Sequence, residues 1–344
     1  MATIQDIARM SGYSIGTVSR VLNNRADVSE EARSRIEEVI REQDYQPNSN
    51  ARMLRQAISS ETSIIVRGTS NSFLHSVLER VQILIHEHGE TANVLFTKDD
   101  EDEVAAAILS MQHQKPKGLI FLGGSIGAFR RGFDKINVPS VLLLGDAEGL
   151  GFDNLSSFST DDMDAASHAV SMLISEGHRR IGVLGGYPED VDKSSPYFGP
   201  AALRIQGAVN ELKKSGIAFD FTMNYEPCPF TAEEGYRAAK ELLLRNSDLT
   251  GIFAISDAVA IGAMRALHDM GLMVPKDISI VGFDGVGFTK YSIPRLATIQ
   301  QDIDTIARKG VNDLLMRISY ECPAVHEKIP YRFVDGESIA RPRT

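Results

Sequence analysis

Residues 3–23 read TIQDIARMSGYSIGTVSRVLN, and their punctuation decides how the chain begins. Thr3 and Asp6 stand at capping-box spacing, so Thr3 is expected to accept from the first turn while Asp6 reaches back to it. The first helix then runs to about Ser11, with Ile4, Ile7, Ala8 and Met10 on one apolar stripe, and Gly12 permits a tight turn. Ser14 opens a second helix in which Val18, Val21 and Leu22 point inward, while Thr17, Ser19, Arg20 and Asn23 stay outside. Two short helices joined by a glycine turn make a helix-turn-helix, whose second helix can set its N-terminal side chains against base edges in a major groove. Ser29 caps a bracing third helix that carries Glu30 and Glu31 in its first turn and is expected to bury Ala32, Ile36, Val39 and Ile40. A three-helix unit built only for protein contacts would share this periodicity, so spacing alone leaves both readings open.

Charge is distributed unevenly along the chain. The net charge is −10 over 344 residues, which is the wrong sign for a nucleic-acid binder taken whole. Within residues 1–60, however, eight arginines balance eight acids. The whole surplus therefore lies beyond residue 60, and a neutral head with separable faces precedes an acidic body.

Composition bounds the rest. With 43% hydrophobic and 24% charged residues, the chain is neither disordered nor a small disulfide scaffold. Cys228 and Cys322 are its two cysteines, far apart and outside any CxxC pattern, which fits a reducing cytoplasm and argues against a cysteine zinc site. The first residues lack an apolar export segment, and no stretch approaches the roughly 20 apolar residues of a membrane span. A protein that stays in the cytoplasm without membrane contact is expected.

Beyond residue 60, apolar runs of strand length alternate with amphipathic runs of helix length. The strand candidates are 63–66, 92–96, 118–123, 140–144, 180–185, 251–255 and 278–283, and the helical stretches include 161–176, 201–215 and 258–270. This is an α/β pattern with parallel sheets. Two Rossmann-like lobes are more economical than one large sheet, and they place a ligand cleft at the strand C-termini. Gly123-Gly124 and Gly185-Gly186 follow strands, but neither sits in GxGxxG or GxxxxGK(S/T), so they carry no nucleotide signature. Gly177 is expected to stop a helix, with His178, Arg179 and Arg180 near its negative end.

The head motifs DIA, S-x-x-TVSRVLN, VS-x-x-(A/T)R and YxPN closely resemble the DNA-binding head of the lactose-repressor (LacI/GalR) family of bacterial transcription regulators. The resemblance extends to the body through SNSF (70–73), TDD (160–162), EGHRRIGVLGG (176–186), LRIQG (203–207), DAVAIGAMRAL (257–267) and VPKDISIVGFD (274–284). It implies a head at 1–47, a hinge helix and linker at 48–60, and a periplasmic-binding-protein-like core at 61–344. The core's N-lobe would take about 61–160 and 291–322, and its C-lobe about 161–290 and 323–344.

Carried over residue by residue, the resemblance makes Ile15 and Gly16 the main base-reading positions. Thr3, Ser14, Thr17, Ser19, Arg20 and Asn23 would touch bases or phosphates. Gly16 has no side chain, so Ile15, Thr17 and Arg20 would carry more of the direct readout. Asn48, Ala51, Leu54 and Arg55 fall on the hinge, where Leu54 would wedge between bases in the minor groove. Arg204, Asp257 and Asp284 match effector-contacting positions, and Phe73 and Phe230 match aromatics of the cleft. An Asp that opens a helix is often only an N-cap, and either Phe could be core. Val66-Arg67-Gly68 departs from the Val-Pro-Asp usual at that point.

The function implied is a sequence-specific regulator, a repressor, that binds double-stranded pseudo-palindromic operator DNA and responds to a small-molecule effector between the lobes. A sugar or sugar phosphate is the first expectation and a purine nucleobase corepressor the second. A transport binding protein would need an export signal, and a sugar-metabolising enzyme would need a catalytic motif. HExxH and a cysteine nucleophile motif are missing from the sequence. His86-Glu87-His88 has i, i+2 spacing, which faces opposite sides of a helix. No catalytic residue, metal or cofactor is therefore expected. Without apolar heptads after residues 330–334, the tail is expected to form no tetramerising coiled coil, leaving a homodimer made by the body.

Overall fold

The computed structural model describes residues 4–13, 17–18, 21, 28–43, 61–68, 71–98, 101–191, 199–320 and 322–343. The chain forms two compact units, Met1–Ser60 and Glu61–Thr344.

In the first unit, α1 (Ile4–Ser11) and α2 (Glu30–Glu42) flank helical residues Thr17, Val18 and Val21. Ile7, Ala8, Val18, Val21, Ile36 and Val39 form its core, with Tyr13, Val28 and Ile40 packed at the edge. Ser29 caps α2 by accepting from the Ala32 N–H at 3.3 Å. Met10 is exposed, outside the stripe expected for it. Asp6 pairs with Arg9 at 2.8 Å one turn on, and Thr3, the other half of the expected box, lies outside the described residues.

The second unit has two lobes, each a six-stranded sheet between helices. In the first lobe, β1 (Thr62–Arg67), α3 (Ser72–Glu87), β2 (Ala92–Thr97), α4 (Glu103–Gln114), β3 (Gly118–Leu122), α5 (Ile126–Gly132), β4 (Ser140–Leu143) and β5 (Leu155–Ser159) follow in order. The second lobe repeats the plan with α6 (Asp162–Ser175), β6 (Ile181–Leu184), α7 (Pro200–Lys214), β7 (Tyr225–Glu226), α8 (Ala232–Arg245), β8 (Gly251–Ala254), α9 (Asp257–Asp269), β9 (Ser279–Asp284) and β10 (Ala297–Gln301). The chain then returns to the first lobe through α10 (Ile303–Ser319) and β11 (His326–Lys328), and ends in the second with β12 (Tyr331–Val334).

Strand order is β11-β5-β4-β3-β1-β2 in one sheet and β12-β10-β9-β8-β6-β7 in the other. All ladders are parallel except β10 with β12. Parallel strands need helical crossovers that bury both sheet faces, which is why the strands read as continuous apolar runs. Period-two alternation divides them: Ile64 and Val66 join the core under α3 and α10, while Ile65 faces the cluster holding Phe121 and Phe129.

The lobe boundaries differ from those expected. β10, assigned to the N-lobe within 291–322, belongs to the second sheet, and β11, assigned to the C-lobe within 323–344, belongs to the first. The lobes are thus joined near residues 160, 302 and 330. Ala-Thr-Ile-Gln-Gln and His-Glu-Lys carry too little apolar signal to reveal which sheet they complete.

Two helix pairs approach through glycine. A Cβ on Gly207 of α7 would stand 2.1 Å from the Met163 carbonyl oxygen of α6, and one on Gly262 of α9 would stand 1.9 Å from that of Ala232 in α8. Among the described residues no helix is long and apolar enough to cross a membrane.

Candidate functional site

In both lobes the strand order reverses beside the first strand of the unit, between β1 and β3 and between β6 and β8. Loops diverge at such a point and leave a crevice beyond the strand C-termini. The two crevices face each other and enclose about 370 Å³. The first lobe contributes Arg67 at the end of β1, Asn71 and Phe73 at the start of α3, the Gly123–Ser125 turn after β3, and Arg131 of α5. From the second come Tyr187 and Asp190 after β6, Arg204 of α7, Phe230, and Asp284 at the end of β9.

Arg204 organises this wall. Pro200 starts α7 at a position where its missing N–H costs no bond, and Arg204 follows one turn later. Its Nε donates to Asp162 Oδ1 at 2.7 Å, and its Nη1 donates to Asp284 Oδ1 at 3.1 Å and to the Ile255 carbonyl at 2.8 Å. The guanidinium also lies over the Phe283 ring, 3.8 Å from its centroid. Burial pushes the Asp284 carboxyl up to about 6, against the pull of Arg204, and raises that of Asp162 in the same way. For Arg204 itself burial favours the neutral form, but the two carboxylates outweigh it and raise its pKa.

The network continues to the connections between lobes. Gln301 Nε2 donates to Asp284 Oδ1 at 2.9 Å, and Thr160 Oγ1 donates to Gln301 Oε1 at 2.9 Å. Thr160 precedes the first crossing and Gln301 the second, so the wall of the cleft is bonded to two of the three joining strands. Asp284 is held at φ 110, a conformation uncommon outside glycine. We expect Gln301→Ala, which unlinks Asp284 from Thr160, to reduce any ligand-induced change in lobe closure. Small-angle scattering with and without ligand would detect this, and an unchanged response would remove Gln301 from the linkage.

Four of the five effector positions expected from sequence line the cleft: Phe73, Arg204, Phe230 and Asp284. Phe73 is also part of the first lobe's core, its N–H bound to Asn71 Oδ1, while Phe230 neighbours Tyr187 at 6.3 Å between centroids. Asp257 is a correction. It is fully buried away from the cleft, accepting from the Val286 N–H at 2.8 Å and the Thr298 hydroxyl at 2.5 Å. Nor is it the N-cap, since Ser256 fills that place by accepting from Val259 N–H. Asp257 ties the loop after β9 to α9, and burial beside Asp284 raises its carboxyl well above the usual range.

Sequence reasoning missed Asn71, Arg131, Tyr187 and Asp190, and noted Arg67 only as a departure. Nothing local marks these residues, because the cleft gathers them from loops of both lobes. Gly177 ends α6 as read, at φ 101, but of the three basic side chains expected at that helix end Arg180 donates instead to the Asp248 carbonyl and only Arg179 stays. His178 is buried against Thr250 and the Ala340 carbonyl, and Arg179 donates to the Ile174 carbonyl at the end of α6. Of the positions expected from sequence to contact DNA, Thr17 is helical and half-buried. Thr3, Ser14, Ile15, Gly16, Ser19, Arg20, Asn23, Asn48, Ala51, Leu54 and Arg55 lie outside the described residues.

Residues 3–48 match a family described as bacterial regulatory proteins, lacI family, and residues 170–339 match a periplasmic binding protein-like domain. The chain is 32% identical over 340 residues to the HTH-type transcriptional regulator MalR of Clostridium butyricum, covering 97% of this chain and 98% of the relative. Among solved structures, the lac repressor dimer bound to operator and the anti-inducer ONPF superposes with a TM-score of 0.74 at 23% identity, covering 98% of this chain and 99% of that one. A transcriptional regulator from Enterococcus faecium with bound ribose gives 0.69 at 25% identity, covering 82% of this chain and all of that one.

Proposed function

We propose, from the premise that this chain belongs to the lacI family of bacterial regulatory proteins and is a DNA-binding transcription regulator, that it is a homodimeric repressor controlled by a sugar or sugar phosphate held between the lobes. The observation that carries the effector reading is the cleft wall, where a buried arginine fixed by two carboxylates stands among aromatic side chains. Fixed polar groups suit hydroxyls, and aromatic faces suit the C–H face of a sugar ring. Regulation then requires that the ligand bind one arrangement of the lobes more tightly than the other. A typical coupling of about 1–3 kcal/mol changes operator affinity roughly 5- to 150-fold.

On the operator, Arg20 and its neighbours Ile15 and Thr17 would read the major groove, while Leu54 would stabilise a kinked minor groove. Two copies match a pseudo-palindromic site because two-fold protein symmetry is mirrored by two half-sites. Arg20→Ala should abolish specific operator binding in a gel-shift titration. Leu54→Ala should weaken it on a bendable, centrally CG-stepped operator, because less of the bending cost is offset. Equal binding by Leu54→Ala and wild type would end the hinge reading. Light scattering that found a stable tetramer, or a monomer at micromolar concentration, would contradict the dimer.

A further inference from the structure

The apolar clusters of the second unit keep to their own lobes, with one exception. Among the described residues, the cluster built around α3 and α10 draws on the first lobe and on Ile329 at the third crossing, except for Val286. Val286 belongs to the second lobe, two residues beyond the end of β9 at Asp284. It is 9% exposed and shares the cluster with Leu144, Phe158 and Ile306. In the other direction nothing crosses, since the clusters of the second lobe hold no first-lobe residue.

The segment that carries Val286 to the other lobe is fixed from two sides. Asp284 and Gly285 turn the chain at φ 110 and φ 72. A Cβ on Gly285 would stand 2.5 Å from the Gln300 Cα, so the segment presses on β10 just before the second crossing, where only glycine fits. Gln300 Nε2 donates to the Gly285 carbonyl at 3.3 Å. Both backbone groups of Val286 are bound as well: its N–H donates to Asp257 Oδ2 at 2.8 Å, and its carbonyl accepts from the Thr289 hydroxyl at 2.8 Å. Asp257 in turn accepts from the Thr298 hydroxyl of β10. Burial, reinforced by Asp284, drives the Asp257 carboxyl toward its neutral form, so it serves as a hydrogen-bonding group rather than as a charge.

Asp284 and Val286 are therefore the two ends of one short, pinned piece of chain. At one end a carboxyl lines the cleft beside Arg204, and at the other an isopropyl group sits in the core of the opposite lobe. Packed cores answer a displacement by moving between discrete arrangements rather than by stretching. We propose that residues 284–286 couple the cleft to the placement of the two lobes, with Val286 as the contact that crosses between them and Asp257 as the positioning residue that seats it. That a ligand drives this coupling rests on reading the cleft as the effector site, whereas the coupling itself can be tested without one.

The test is hydrogen exchange, followed by mass spectrometry, on the full-length protein. Two first-lobe amides report on the seat of Val286: Leu144, which donates to the Phe158 carbonyl, and Ile306, which donates to that of Asp302. In Val286→Ala their exchange should quicken by about ten-fold, the worth of the two methyl groups removed. Leu119 at the far end of the first lobe and Ile255 in the second should keep wild-type rates. Asp257→Ala should quicken the same two amides from the second lobe, and Asp257→Asn should stay near wild type, because an amide can accept from the Val286 N–H and donate to Thr298 Oγ1. If Asp257 acts through Val286, the double alanine variant exchanges no faster at Leu144 and Ile306 than the faster single one. Asp284→Asn, made at the cleft end, should quicken these amides too, and add nothing in the Val286→Ala background. Unchanged rates at Leu144 and Ile306 in Val286→Ala overturn the contact between lobes, and equal acceleration at all four amides means general loosening and overturns it as well. Additive effects of the two alanines take the positioning role from Asp257. An Asp284→Asn effect confined to the second lobe overturns the link to the cleft.

Discussion

Arg204→Ala is expected to destabilise the protein by about 3–5 kcal/mol at neutral pH, the usual cost of removing one partner from a buried ion pair, and to abolish any ligand response. The reason lies in what remains. Asp162 and Asp284 would stay buried within one network, their shared cation gone. The dependence on pH follows from the carboxyls. That of Asp284 titrates at about 6 in the folded protein against an ordinary 3.8, so between these values the folded state binds more protons than the unfolded one. Its contribution to stability therefore falls as pH rises through this window. Without Arg204 both carboxyls move further up, and protonation is the way left to neutralise them. The variant's deficit should be largest near pH 7.5 and should shrink by pH 5. Urea unfolding at the two pH values measures it. A deficit that does not change with pH would mean that Arg204 is not holding these carboxylates, and a variant that keeps wild-type ligand affinity would remove Arg204 from the effector site.

Gly262→Ala should be nearly as damaging despite adding one methyl group. Alanine is the better helix former by about 1 kcal/mol, so in an exposed helix the change would stabilise. Here the new Cβ would meet the Ala232 carbonyl oxygen at 1.9 Å and the Tyr236 nitrogen at 2.7 Å. Both are backbone, and no rotamer change can relieve them. α8 and α9 must separate, opening the core built from Ala239, Leu243, Val259 and Ala263. Overpacking of this kind typically costs about 1–3 kcal/mol, and a contact with backbone belongs at the top of that range or above it. Gly149→Ala is the comparison, since a Cβ there meets nothing within 4 Å, and it should be close to neutral. Thermal and urea unfolding of the two variants give the contrast. Equal stability for Gly262→Ala and wild type would show that the helices can part at little cost.

Local order was legible in the residues themselves. Ser29 before two glutamates announces a helix, and Val18, Val21, Ile36 and Val39 at helical spacing announce the core they share. The strands β1, β3 and β4 are apolar runs because both faces of a parallel sheet are covered, so burial writes them directly into the sequence. Resemblance then pointed to Arg204, Asp284, Phe73 and Phe230, each of which lines the cleft.

Tertiary structure decided what depends on meeting across distance. Asp257 opens a helix just as a binding or capping residue might be written, yet it turns to Val286 and Thr298, 29 and 41 residues away. β10 and β11 are too short and polar to declare a sheet, and their partners β9 and β5 assign them to opposite lobes. Arg131, Tyr187 and Asp190 carry no local signal, and Arg67 shows only as a departure from Val-Pro-Asp. They share one wall-to-wall space because strand order reverses beside β1 and β6, and strand order is fixed by the packing of whole crossover units. Sequence period reports which face of an element is buried, whereas which elements become neighbours is settled only when those faces close on one another.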